Sequence, residues 1–196
     1  MINEFCNGRI VIIRTFHQIS SMKKMLFIVL ILLSTSIIYS QTRFAKYPIE
    51  KSGASIYLPG EPTWELTFSE DSSEVYTGNV GIDTVNYSAI VIKFKEKFED
   101  KNGEELQDLL TSYIDFIGSS VLELVEIVPV GYGHTLESNT SAIGAITYGV
   151  DADGYNYAIK GWIDNEFLAI LMVISETEAN FTMQELFLNG FRFPEK

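Results

Sequence analysis

Cysteine is almost missing from this sequence: Cys6 is the one thiol in 196 residues. A single thiol builds neither a disulfide framework nor a cysteine-rich zinc site, so the fold must rest on its core. Histidine is nearly as scarce, with His17 and His134 alone. Imidazole zinc sites and Ser-His-Asp machinery therefore have little to draw on. Positive charge is short as well, 14 Lys and Arg against 26 Asp and Glu, for a formal charge of −12. That balance excludes nucleic-acid binding by phosphate neutralisation. From Gln41 onward there is no Gly-x-Ser-x-Gly elbow, no Ser-x-x-Lys and no Gly-Lys-Ser/Thr phosphate loop. Solenoid-length repeats and low-complexity tracts are also lacking. What is present is an apolar content of 46%, enough for a folded core and too much for a disordered chain.

The N-terminal segment has its own character. Met22-Lys23-Lys24 precedes the apolar run Met25 to Leu33, which ends in Ser34-Thr35-Ser36-Ile37-Ile38-Tyr39-Ser40. A basic head, a short apolar stretch and a small residue read as a secretory signal peptide over residues 22–40, cleaved after Ser40. Met25 to Tyr39 is 15 residues, short of the roughly 20 a membrane span needs. Residues 1–21 read as an upstream extension before the true start at Met22. The reading places the protein outside the cytoplasm, periplasmic or secreted, with no stable membrane insertion after cleavage. Loss of Arg9, Arg14, Lys23 and Lys24 against Glu4 alone makes the exported part more acidic still.

Residues 41–196 read as one globular domain. Gln41 to Glu50 is a polar lead-in. Short strands are expected at Ala54–Leu58, Trp64–Phe68 and Val75–Val80, the second alternating as a half-buried strand does. Ser69-Glu70-Asp71-Ser72-Ser73 is an acidic turn. Within Thr84–Lys95, Ala89-Ile90-Val91-Ile92 suits a strand covered on both faces. Leu106, Leu109, Leu110, Tyr113, Ile114 and Ile117 recur at helical period, with Asn102 as N-cap, Glu104 and Glu105 in the first turn and Gly118 as the stop. Val121–Val130 is expected as a long strand leading into a Gly131-Tyr132-Gly133-His134 loop. Ala142–Val150, Tyr155–Ile163 and Phe167–Ile174 form an antiparallel meander, with Asp153-Gly154 as a type I′ turn. Phe181–Asn189 is a second helix, Thr182-Met183-Gln184-Glu185 having capping-box form. The order predicts an α+β fold, an antiparallel β-sheet with helices packed on it.

That order resembles the PsbP-like fold, an α/β/α sandwich. The residues carrying the resemblance are Ser55-Ile56-Tyr57-Leu58-Pro59, the helix Leu106 to Ile117 followed by the strand from Val121, Lys160-Gly161-Trp162 with Phe167 to Ile174, and the closing Phe191-Arg192-Phe193. The family includes the extrinsic photosystem II protein, a small Ran-binding nuclear protein and exported bacterial proteins of unknown role. The resemblance spans about Tyr47 to Pro194 and implies a non-enzymatic binding or assembly role. No residue set for Ran, manganese or photosystem binding matches, so none is carried over.

Candidate chemistry is sparse. His134, between glycine and a hydroxyl residue, is a candidate contact in its loop, with Tyr132 beside it. Asp151-Ala152-Asp153-Gly154-Tyr155-Asn156 brings calcium loops to mind, yet its Gly comes too early and no Glu stands at the twelfth position, so a hairpin turn is the better account. Tyr148, Tyr155, Tyr157 and Trp162 crowd the meander, as a stacking platform for sugar or peptide or as ordinary core packing. Tyr155 and Tyr157 are expected on one sheet face with Ile159 and Ile163, Trp162 on the other with Lys160. No cofactor, metal or catalytic residue is expected. The preferred function is an exported, non-catalytic binding or assembly domain with a protein partner. The alternative is a small-ligand module with a pocket between helix 103–118 and the meander, and a carboxylate hydrolase ranks last. Edman sequencing of the exported protein should read Gln41 first; a retained Met22 would refute cleavage.

Overall fold

The computed structural model describes residues 43–98 and 101–195. The expected signal peptide at 22–40, its cleavage site and the segment 1–21 lie outside the described residues. Two sheets are present. The small one is β1 (Ala45–Pro48), β2 (Ser55–Leu58) and β11 (Phe191–Arg192), in the order β1-β2-β11. The large one contains β3 (Thr63–Phe68), β4 (Glu74–Ile82), β5 (Val85–Lys93), β6 (Glu126–Ile127), β8 (Asn139–Val150), β9 (Asn156–Asp164) and β10 (Phe167–Ser175), in the order β3-β4-β5-β10-β9-β8-β6, with β7 (Gly131–Leu136) also on β8. Every pairing is antiparallel. Helix α1 (Gly103–Phe116) and helix α2 (Phe181–Leu188) complete the α+β architecture.

Strand alternation gives the large sheet two apolar faces. Leu168, Ile170 and Met172 of β10, with Ile159 and Ile163 of β9, pack with Leu106, Leu110 and Ile114 of α1. Phe167, Ala169, Leu171 and Val173 point the other way, into a core shared with Ile56 and Leu58 of β2, Phe187 and Leu188 of α2, and Phe191. The helices therefore cover opposite faces. Gly161 makes the α1 side possible: a Cβ there would sit 2.5 Å from Leu110 Cδ1. Gly144 does the same for the opposite face, where a Cβ would lie 2.2 Å from the Trp162 ring.

Local chemistry sets the helix starts. Asn102 accepts from the amides of Glu104 (2.9 Å) and Glu105 (3.0 Å), and Glu105 accepts from the Asn102 amide at 2.9 Å, a complete capping box. The second cap differs from the expectation. Asn180, not Thr182, is the N-cap of α2 and accepts from the Met183 amide at 3.2 Å; Thr182 is already helical.

Further expectations are corrected. The lead-in contains β1, held by pairing with β2. Gly118 does not end the first helix: it keeps a helical φ and the chain passes through a π turn, Ile117–Val121, reversing only near Glu123 at φ 51. The 121–130 strand shrinks to β6, because that turn consumes Val121 and Pro129 has no N–H to donate to β8. Pairing resumes beyond the proline, so Gly131–Leu136 is strand and not loop, bulged around Gly133 at φ 83. At the meander's first turn only Gly154 has positive φ (87°), with its amide donating to Asp151 O. That is a type I turn followed by a left-handed glycine, not type I′. Trp64 packs against the core, but Leu66 and Phe68 are exposed on the edge strand β3.

The meander itself, β8-β9-β10, stands as expected. Its central side chain is Trp162, fully buried, whose Nε1 donates to Leu188 O at 2.8 Å at the C-terminal end of α2. Trp162→Phe removes that donor and strands a buried carbonyl, so urea unfolding should show a loss of about 1–3 kcal/mol; an unchanged midpoint would refute the role assigned to this bond.

Candidate functional site

On the α2 face, register lines side chains of the large sheet into rows. Tyr148 pairs with Ala158, Ala158 with Val173 and Val173 with Tyr87. The next row is Ile146, Lys160, Leu171 and Ala89, and the third is Gly144, Trp162, Ala169 and Val91. The C-terminal half of α2 is fixed to the second and third rows. Besides the Trp162 bond, Lys160 Nζ donates to Asn189 Oδ1 at 2.8 Å, and Asn189 Nδ2 donates to Glu185 Oε2 at 2.9 Å. A cation near a helix C-terminus is favoured by the unpaired carbonyls there. Lys160 is 3% exposed and its ammonium lies 4.8 Å from the Trp162 ring centroid. Burial pushes its pKa down, with the Glu185 carboxylate opposing that.

The first row is buried at Ala158, Val173 and Tyr87 but open at Tyr148. Between it, β6 and the N-terminal half of α2 lies an open groove of about 460 Å³. Its floor is Tyr148, Ala158 and Val173, and its banks carry Ile127, Val128 and Phe181. Phe181 is 71% exposed, Val128 53% and Tyr148 39%. A second hollow of about 470 Å³ lies across Phe181, against Tyr57, Leu186 and Arg192, with the guanidinium 5.2 Å from the Tyr57 ring centroid. The stretch that carries Ile127 and Val128 is anchored to β8: the Val128 amide donates to Tyr148 O at 2.8 Å, and buried Thr147 donates from Oγ1 to Val128 O at 2.5 Å. Burial raises the Tyr148 phenol pKa, and the Glu185 carboxylate adds to the effect.

The residues singled out from sequence fall in different places. Trp162 is fully buried and is a core residue, not a stacking surface. Tyr155 sits in the hairpin turn, its hydroxyl donating to Glu176 at 3.2 Å. Tyr157 borders the groove, but its ring packs with the α1-side core and its hydroxyl donates to Asp151 at 2.9 Å. Burial, then that hydrogen bond, raises the Tyr157 pKa to about 12. Asp151 also accepts from the amides of Asp153 (3.0 Å) and Tyr155 (2.9 Å), so its carboxylate serves the turn. Tyr132 is exposed on β7, and His134 is half-buried there opposite Gly144. Neither lines the groove. No group of three His, Cys, Asp or Glu suited to a metal occurs among the described residues. The pocket expected between helix 103–118 and the meander is instead a filled interface, closed by Leu106, Leu110 and Ile114. Ile127, Val128 and Phe181 stand outside the residues the sequence points to, while Tyr148 belongs to the meander's aromatic cluster. The trace of Phe181 in the sequence is α2 itself, which has apolar residues on more sides than one core face can cover.

No protein-family model and no curated protein matches the sequence. Among solved structures, the solution structure of cyanobacterial PsbP (CyanoP) from Synechocystis is similar, with a TM-score of 0.47 and 12% identity, covering 80% of this chain and 95% of that one. A likeness at this level transfers no partner, ligand or site residue.

His134 gives a test of the local electrostatics. Burial, then the nearby Lys160 charge, lowers its pKa, while Glu185 raises it less. Because the folded value lies below the ordinary 6.5, the unfolded chain takes the proton first. The associated stability is full above about pH 6.5 and declines as pH falls through the folded value. Thermal melts from about pH 7 to 5 should flatten in His134→Gln relative to the parent; identical slopes would contradict the assignment.

Proposed function

We propose that this chain is an exported, non-catalytic binding domain, and that the groove between β6, the first row of the sheet and α2 receives apolar side chains of a protein partner. The observation that carries this reading is the exposure of Phe181, Val128 and Ile127 around a preformed hollow. Large apolar groups clustered in solvent mark interaction sites, because burying them against a partner recovers the hydrophobic term they forgo in the free protein. The groove is supported from beneath: α2 is fixed at its C-terminal end and β6 is bonded to β8, so little ordering is needed on binding.

The polar groups at the site support binding more than catalysis. Lys160 is committed to Asn189 beneath the helix, and Asp151 to its turn. Glu126 and Glu178 both border the groove, but Glu126 lies level with Ser175 across β8 and β9, roughly 14 Å at sheet spacing, and Glu178 follows Ser175 by three positions. The export part of the proposal rests on residues 22–40. No helix among the described residues is long and apolar enough to cross a membrane.

Phe181→Ala separates binding from folding. Being exposed, its loss should leave the melting temperature within about 2 °C. Cross-linking in intact cells should then lose the partner band that the parent chain captures. Retention of that band with Phe181→Ala would place the interface elsewhere.

A further inference from the structure

The groove lies at one end of the sheet, and the segments bordering it carry charge of a single sign. The segments bordering it, residues 125–128, 148–158 and 173–185, carry Glu126, Asp151, Asp153, Glu176, Glu178 and Glu185 and contain no Lys or Arg. Glu126 and Glu178 line the hollow directly. At the opposite end of β5 and β10 stand Lys93 and, just beyond, Lys95 and Lys97, where Lys97 pairs with Glu166 at 3.6 Å. These lysines stand away from the groove, interspersed with carboxylates such as Glu74 and Glu166. Lys160, on the groove face, is buried one row away and held by Asn189, so it does not neutralise the rim.

We infer that the groove's occupant is a basic amphipathic peptide segment of the partner, with apolar side chains on Tyr148 and Phe181 and flanking Lys or Arg against Glu126 and Glu178. This rests on the groove reading above and names the partner's chemistry. An apolar floor alone would accept any hydrophobic segment. Carboxylates on both banks reject acidic ones by like-charge repulsion and hasten the approach of basic ones. Exposed carboxylates act across the Debye length, so the preference is greatest at low salt and declines as salt is added.

Three capped heptapeptides with a common Leu-Phe-Leu centre, flanked on each side by two Lys, two Gln or two Glu, test this by calorimetric titration of the full chain. The Lys-flanked peptide should bind about tenfold tighter than the Gln-flanked one at low salt. That advantage should fall away by about 0.5 M salt, with the Glu-flanked peptide weakest. Glu126→Gln with Glu178→Gln should bring the Lys-flanked peptide down to the Gln-flanked affinity, while Phe181→Ala should weaken both. Equal binding of the Lys and Gln peptides, lost in Phe181→Ala, would overturn the charge inference and leave the groove standing. Binding of the Lys peptide alone, unaffected by Phe181→Ala, would mean adsorption to acid elsewhere and overturn it too. If none of the three binds, the groove reading and the inference fall together.

Discussion

The contact on which the rest of the site depends is the junction between strand β9 and the C-terminal end of α2. Trp162 and Lys160 reach from adjacent rows of one sheet face to Leu188 O and to the Asn189 side chain. A helix ends with carbonyls that lack intrahelical partners, and a buried end is tolerable only where donors meet it. β9 supplies one such donor inside the core, Trp162 Nε1, while Lys160 holds the Asn189 side chain. Arg192, just past the helix, adds another through Nη1 to Asn189 O at 2.8 Å. Because α2 has eight residues and is fixed at this end, its other half leaves Tyr148 at the edge of the first row exposed. The groove is what that geometry leaves open.

The two faces of the sheet are treated differently for the same physical reason. Helix α1 has 14 residues, a regular apolar stripe and a glycine, Gly161, beneath it, so it seats closely and its interface fills. On the other face the cover is assembled from α2 and the small three-stranded sheet, whose Phe187, Phe191 and Ile56 reach the middle of the large sheet. Tyr87 meets Phe187 edge-on at 5.3 Å, and Phe191 meets Phe193 at 4.9 Å. Beyond Phe187 this cover thins, and Tyr148 at the β8 end of the first row is left exposed beside the acidic rim. A short cover over a broad apolar face yields a recess, whereas a long helix over a matched stripe yields core.

Much of the fold was legible because its signals are local. The capping residue Asn102, the α1 stripe and the three apolar runs of the meander each depend on neighbours within a few positions. The predicted opposition of Tyr157 and Trp162 follows from strand alternation, and the two residues do pack in opposite cores. The misreadings came where a distant partner decides. Ala45–Pro48 is strand only because β2 lies beside it, and Gly131–Leu136 because β8 does. Gly118 looked like a stop, but a glycine ends a helix only when the chain turns left-handed there, and this one does not.

By itself the sequence determined which chemistries were absent, the acidic balance, the α+β order and the periodicities that place each side chain on a face. Those properties are set by residue type and short-range geometry. The tertiary structure alone decided that Trp162 is core while Tyr148 and Phe181 face solvent. Both outcomes suit an aromatic residue in a strand or a short helix. The choice depends on how far the covering elements reach, and that reach is fixed by hydrogen bonds between residues 26 and 29 positions apart.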